Sequence, residues 1–303
     1  MYQENQPIVQ VNDFRKQYGD FVAVDSISFA VYPGEIFGLL GPNGAGKTST
    51  LECLEGIRVP DGGTLQVGGL DPTREQRRLR DLIGVQLQAA GMPASMTPVE
   101  AMQFFCAYHG VAPRLDLLDR FGLREKRESQ FQELSTGQQR RLALALAIAH
   151  EPQVLFLDEP TAGLDVPSRK ELHTVLRELR DNGTAIILAT HDMAEAEQLA
   201  DRVGILLHGR LVAAGSPLEI TATGAGLTKI SVHTRQNRLL KNGHTPPAVT
   251  QHHIHEQYAI YYSTDIAQTV PALIEMVQAA ADELLDLRVE RPSLEERFLE
   301  LTN

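Results

Sequence analysis

"GLLGPNGAGKTST", Gly38 to Thr50, runs from apolar residues into a glycine-rich turn that delivers a lysine and a threonine. Gly41, Gly46, Lys47 and Thr48 keep the G-x-x-x-x-G-K-T spacing of a P-loop. The apolar stretch Glu35 to Gly41 predicts a buried strand before the turn, and a helix is expected from Gly46 to about Gly56 after it. Glycines bare the backbone N–H groups so that they wrap phosphates, Lys47 reaches toward the β- and γ-phosphates, and Thr48 offers an oxygen to magnesium. The helix N-terminus adds its positive field. Asn43, Gly44 and Ser49 belong to the same turn and are expected among the nucleotide contacts.

Downstream, "VLFLDEP", Val154 to Pro160, reads as a buried strand ending in two adjacent acids. Ligands of an α/β sheet bind at the carboxyl ends of its strands, and two carboxylates there need a cation to face. Asp158 suits a magnesium shell. Glu159, one residue on, is placed to polarise an attacking water as general base.

Composition sets the outer limits. The chain has 303 residues, 43% of them hydrophobic, enough for one large core and a second, smaller domain. Its longest apolar run, Leu142 to Ala149, is far short of the roughly 20 residues that cross a bilayer. The N-terminus lacks the basic start and apolar stretch of a secretory signal, so a cytoplasmic location is expected. Cys53 and Cys106 are solitary and expected as reduced thiols. A net charge of −11 argues against a nucleic acid partner. The one basic cluster, residues 73 to 80, is expected to be the solvated face of a short helix.

Along the chain, alternation predicts strands near residues 8 to 14 and 26 to 32, and an edge strand at "TLQVGG". Helical periodicity takes over from Met92 to Leu134, an inserted helical subdomain spanning about residues 89 to 150. Strands return at "QVLFLDEP", "TAIILAT" and "RVGILLHG", separated by helices, which predicts an α/β fold with a mostly parallel sheet. Leu211 to Gly215 is expected to close it. The stretch "TATGAGL" reads as a linker, giving a first domain over 1 to 220 and a small α+β domain over 221 to 303. Within the latter, "QHHIHEQ" places His253 and His255 on one face of a strand, but no Cys or carboxylate set joins them at ligand spacing, and metal binding is not favoured.

"ELSTGQQRRLALALAIA", Glu133 to Ala149, begins a helix at Ser135, whose hydroxyl and the nearby Gly137 N–H form a second anion site. The chain's own phosphates are already held by the P-loop. LSTGQ at 134 to 138, GPNGAGKT at 41 to 48, LFLDEP at 155 to 160, GLD at 163 to 165 and TH at 190 to 191 together resemble the ordered motif set of ABC transporter ATPase subunits.

The resemblance covers about residues 8 to 215 and implies a P-loop NTPase cassette that binds ATP and Mg2+ and closes head to tail with a second cassette, an identical copy or a similar one. Ser135, Gly137 and Gln138 would then cover the γ-phosphate held by the partner cassette. It also implies that Gln88 touches magnesium and the attacking water, with Gln86 the weaker candidate, that His191 contacts the γ-phosphate, that Asp165 crosses the dimer interface, and that Tyr18 stacks on adenine. Thr136 departs from the glycine common in the family and adds a side chain close to the nucleotide.

A chain without a spanning segment would send its work to an integral-membrane permease, placing it at the cytoplasmic face of the membrane. The ending "RPSLEERFLELTN" resembles the tail of ATP-binding subunits in daunorubicin-resistance-type multidrug exporters. Leu294, Phe298 and Leu301 share one helical face there, which packing of a final helix also explains. An importer cassette, and a soluble ABC ATPase acting on nucleic acid or ribosomes, stand as alternatives; a small-molecule kinase leaves LSTGQ and His191 unexplained.

Overall fold

The computed structural model describes residues 6–86, 91–222, 227–236, 245–290 and 293–302. The apolar run before the glycine turn is strand β3, Ile36–Leu40, buried at all five positions. Residues apolar on both faces suit the middle of a parallel sheet covered on both sides. β3 lies between β7 (Ala185–Thr190) and β8 (Arg202–Leu207) in a six-stranded sheet of order β5-β6-β7-β3-β8-β9. β5 is Ile83–Gln86, β6 is Val154–Asp158, and β9, Arg210–Gly215, closes the far edge antiparallel to β8. The mostly parallel α/β sheet read from the sequence is therefore present.

Register decides where the functional residues emerge. Leu40 of β3 stands opposite Thr190 of β7, and Ala189 opposite Asp158 of β6. Three parallel strands thus end level with one another. The glycine turn, the Asp158–Glu159 pair and the Thr190–His191 pair leave the sheet along one edge.

A second sheet, of order β2-β1-β4, is antiparallel: β1 is Val9–Tyr18, β2 Phe21–Val31 and β4 Gly62–Val67. β1 and β2 run further than alternation predicts. Asp13 and Ser26 take positive φ of 49° and 53°, and the pairing shifts register near both. Each bulge inserts an extra residue, so inward positions step from Val11 to Phe14 and from Val24 to Ile27. A strict period of two breaks there although the strand continues. Phe29 of β2 stacks on Phe37 of β3 at 4.9 Å, and one buried apolar cluster spans both sheets. Burial of each such large side chain contributes about 2 kcal/mol.

Helix α1, Lys47–Leu54, follows the glycine turn, and α2, Gln76–Leu82, carries part of the basic cluster. Within the cluster Arg74 pairs with Asp71 and Arg78 with Glu75, while Arg80 donates to the Tyr108 hydroxyl. The inserted helices are α3 (Pro98–Tyr108), α4 (Leu115–Arg120) and α5 (Thr136–Ile148). Thr97 and Glu100 form a capping box at the start of α3, with Pro98 at its first position, where a missing N–H costs nothing. α6 (Val166–Asp181) and α7 (Met193–Leu199) complete the first unit, Met1–Ser216.

The second compact unit is Pro217–Asn303. Thr221 and Ala222 of the expected linker close its first helix, α8 (Pro217–Ala222); residues 223 to 226 lie outside the described residues. Its antiparallel sheet has the order β11-β12-β10-β13, from strands Thr228–Thr234 (β10), Val249–His255 (β11), Tyr258–Ser263 (β12) and Leu284–Glu290 (β13). Helix α9, Ile266–Ala279, buries Leu273 and Val277 against Ile230, Val232 and Tyr261. α10, Leu294–Thr302, packs with α8 and buries Leu294, with Phe298 and Leu301 half-buried on the same face. His252 and His253 stack on Tyr261 and Tyr262 of the neighbouring strand, and His252, His253 and His255 are all exposed.

Candidate functional site

At the sheet edge, a cavity of about 190 Å³ is lined by Tyr18, Phe21, Ala23, Asn43, Gly44, Gly46, Lys47, Thr48, Ser49, Asp158 and Glu159. Two glycines are required by geometry. Gly41 has φ 155° and a Cβ there would sit 2.3 Å from the Leu206 carbonyl oxygen; Gly46 has φ 107°, with the Ala23 carbonyl oxygen 2.5 Å from that position. Both conformations resist any L side chain, and both spaces are already filled by backbone. The turn is therefore held against the sheets, with the Ala45 N–H turned back to the Pro42 carbonyl oxygen at 3.2 Å.

The Lys47 ammonium, buried at the start of α1, donates to the Gly41 and Pro42 carbonyl oxygens at 2.7 and 3.1 Å. Burial pulls its pKa down, opposed by Glu159 and Asp158. The Thr48 hydroxyl donates to an Asp158 carboxylate oxygen at 2.9 Å. Burial pushes the Asp158 pKa up, while that hydrogen bond and Lys47 oppose it and Glu159 reinforces it. A hydroxyl and a carboxylate this close are hard oxygen donors in a small, partly shielded space, which fits Mg2+ held by few protein ligands with the rest from water and phosphate. Lys47, Thr48 and Asp158 thus form one polar floor.

Glu159 has φ 51°, an uncommon conformation for a residue with a side chain, and is buried. The His191 backbone N–H reaches its Oε1 at 3.1 Å, and His191 Nδ1 lies 2.7 Å from the same oxygen. The imidazole itself remains more than half exposed. Arg140 of α5 donates to the Glu159 carbonyl oxygen. Tyr18 stands at the mouth of the cavity, its hydroxyl 3.1 Å from Ser49 Oγ, with Lys16 Nζ and Arg58 Cζ within 5.4 Å of its ring centre.

Other expected residues lie elsewhere. Ser135 caps α5 and Gln138 completes the box: the Ser135 hydroxyl accepts from the Gln138 N–H at 3.3 Å and the Gln138 side-chain oxygen Oε1 accepts from the Ser135 N–H at 2.9 Å. Neither they nor Gly137 line the cavity. Thr136 is the exposed first residue of that helix. Asp165 caps α6, accepting from the Ser168 N–H at 3.2 Å, and hydrogen bonding from the Ser168 hydroxyl first, with its N–H adding to it, holds the Asp165 carboxyl below the usual range. Gln88 lies outside the described residues; Gln86 ends β5, buried, with its side-chain oxygen unpaired.

This constellation has close counterparts. The ABC transporter family matches residues 24–162. Over 97% of this chain and 96% of its own length, the Nod factor export ATP-binding protein I of Paraburkholderia xenovorans is 37% identical. The chain belongs to the ABC transporter ATP-binding proteins. The daunorubicin resistance ATP-binding protein DrrA3 of Streptomyces coeruleorubidus is 34% identical over 97% of this chain and 95% of its own. A solved ATP-binding subunit of an ABC transporter superposes with a TM-score of 0.68 at 27% identity, covering 71% of this chain and 92% of the other. The P-loop NTPase fold and the ATP-hydrolysing character of this ABC cassette follow.

Two neighbours of the site escape a sequence reading. Phe21 lines the cavity while 62% exposed, and in the sequence it is one more aromatic at the start of an apolar strand. Arg140 looks in sequence like any arginine on an amphipathic helix. Only the tertiary approach of α5 to the end of β6 gives it the Glu159 carbonyl.

Proposed function

We propose that this ABC ATPase drives an exporter of drugs or other amphipathic compounds through a separate membrane permease, as one of two cassettes, most simply two copies of itself. Mg2+, held by Thr48 and Asp158 with Gln88 added by resemblance, would neutralise charge on the β- and γ-phosphates. Lys47 binds the same phosphates, exchanging its bonds to Gly41 and Pro42 for phosphate oxygens. Glu159 takes the proton of the attacking water, and His191 holds that carboxylate in place while its exposed edge faces the γ-phosphate. Tyr18, with Phe21 beside it, supplies the flat apolar surface on which adenine stacks.

Closure by a second cassette is supported by Gly137. A Cβ added there would meet nothing nearer than Leu164 at 3.5 Å, an ordinary contact, so nothing among the described residues requires the glycine. A residue bare for no internal reason suits a face that receives a phosphate from outside. Ser135, Gln138 and Asp165 lie on exposed or half-exposed helix starts, ready for the same approach.

The observation that carries permease coupling is a groove of about 690 Å³ between α2, β5, α3 and α5. Ile57, Phe104 and Tyr108 line it and are 57%, 60% and 55% exposed. Large apolar side chains gathered at one concave surface suit an inserted helix. Among the described residues no helix is long and apolar enough to cross a membrane, so a spanning partner supplies that part. Export is supported by the names of the two relatives above, one for Nod factor export and one for daunorubicin resistance. The location then follows as the cytoplasmic face of the membrane.

The test is co-purification of this chain in detergent with a membrane-spanning protein from its own cells. Wild type is expected to retain it, and Phe104→Glu to lose it with ATP binding intact. Retention by Phe104→Glu, together with Ile57→Glu, removes the groove as the coupling surface.

A further inference from the structure

The Glu159 carboxylate has two oxygens with unequal support. Oε1 takes both contacts from His191, whereas Oε2 has the Thr190 hydroxyl at 3.5 Å. Thr190 is fully buried at the end of β7. Its hydroxyl accepts from the Asp192 N–H at 3.0 Å and lies 3.2 Å from Glu195 Oε2. A hydroxyl has one proton to give. Two carboxylates, Glu159 and Glu195, therefore compete for it.

Glu195 sits on α7 with its side chain fully buried, a position a carboxylate holds only when partnered. His173 of α6 is that second partner, its Nε2 3.4 Å from Glu195 Oε1. Facing a carboxylate oxygen, Nε2 must carry a hydrogen. That donation satisfies one side of Glu195 and weakens its claim on Thr190.

His173 is not an isolated contact. Arg169 pairs with Asp192 at 3.7 Å, and Arg177 donates to the Gln198 carbonyl at 3.2 Å. Residues 169, 173 and 177 fall on one face at successive turns, so α6 grips α7 along its length. α6 is the helix that Asp165 caps.

We propose that Thr190, Glu195 and His173 are positioning residues for ATP hydrolysis. They form a hydrogen-bonded chain that orients the Glu159 carboxylate from behind and ties its orientation to the seating of α6 on α7. This rests on Glu159 being the base. His173 does not touch the nucleotide cavity; it acts through Glu195, and Glu195 through the one proton of Thr190.

The test uses the purified full chain, with steady-state ATPase kinetics, ATP affinity and thermal unfolding measured on every variant. Thr190→Val removes the hydroxyl at constant shape, and Thr190→Ser restores it. Thr190→Val is expected to lower kcat between about ten- and a hundredfold with KM and Tm close to wild type, Thr190→Ser to recover most of it, and His173→Phe to fall in between. A drop in kcat equal for Thr190→Val and Thr190→Ser, or no drop in Thr190→Val, overturns the chain. Should Thr190→Val lose Tm, Glu195→Gln provides the second reading: it keeps the volume, removes the competing charge, and must change kcat without changing KM. Glu159→Gln separates the two layers. If it still turns over, the base assignment fails; if it is dead while Thr190→Val is unimpaired, only the positioning chain fails.

Discussion

Glu159 combines a positive φ with burial and with a backbone carbonyl held by Arg140, so its carboxylate direction is imposed by its surroundings rather than by its own rotamer preferences. Replacing it by glutamine keeps the shape and the His191 N–H contact but removes the basic oxygen. Glu159→Gln is therefore expected to bind ATP as wild type and lose at least about a hundredfold in turnover, checked by ATPase assay beside equilibrium binding. A different residue, Glu55, controls stability. It caps α1 on the wall of the groove with one carboxylate oxygen buried and unpaired, and burial, reinforced by Asp158 and Glu52, pushes its pKa up to about 8. The folded state thus holds a proton that an unfolded chain releases near 4.5. Stability from this group is full below that lower value and is lost as pH rises toward 8. Glu55→Gln should remove the loss: it should raise unfolding free energy by on the order of 3 kcal/mol at pH 8.5 and far less at pH 4, read by urea unfolding.

Among elements, those that a period of two or of 3.6 describes were legible, and those that depend on an interruption were not. β3, β6 and β7 are continuous apolar runs and stand where the sequence places them. β1 and β2 are cut short in any alternation reading because Asp13 and Ser26 add a bulge residue that only cross-strand pairing reveals. β5 is four residues long, too short for a pattern, and owes its place to pairing with β6. In the site, Lys47, Thr48, Asp158 and Glu159 were legible because spacing and strand ends carry them. Phe21 and Arg140 were not, since each reaches the site by tertiary approach. Helix caps can be tested at this scale. Asp265 caps α9 by accepting from the Ala267 and Gln268 N–H groups at 2.9 and 3.4 Å. Asp265→Ala should destabilise the second unit by about 1 kcal/mol, seen as faster amide exchange in α9 and β12, with ATP turnover unchanged.

For the whole molecule, the residues expected to act on one nucleotide fall into two groups that the chain does not unite. The P-loop, Tyr18, Asp158 and Glu159 surround one cavity, whereas Ser135, Gly137, Gln138 and Asp165 sit at helix starts outside it. Two cassettes arranged head to tail would unite the groups twice over, once for each nucleotide. A mixing experiment separates this from a site completed within one chain. Lys47→Ala disables the P-loop and Ser135→Arg disables the helix start that would cover the opposite one, so each variant alone should be inactive. Mixed dimers of the two contain one doubly damaged site and one intact site. The most direct measurement is therefore ATPase activity of Lys47→Ala, of Ser135→Arg, and of their equimolar mixture: turnover in the mixture well above either parent is expected, and a mixture no more active than its components would contradict a nucleotide shared between two chains.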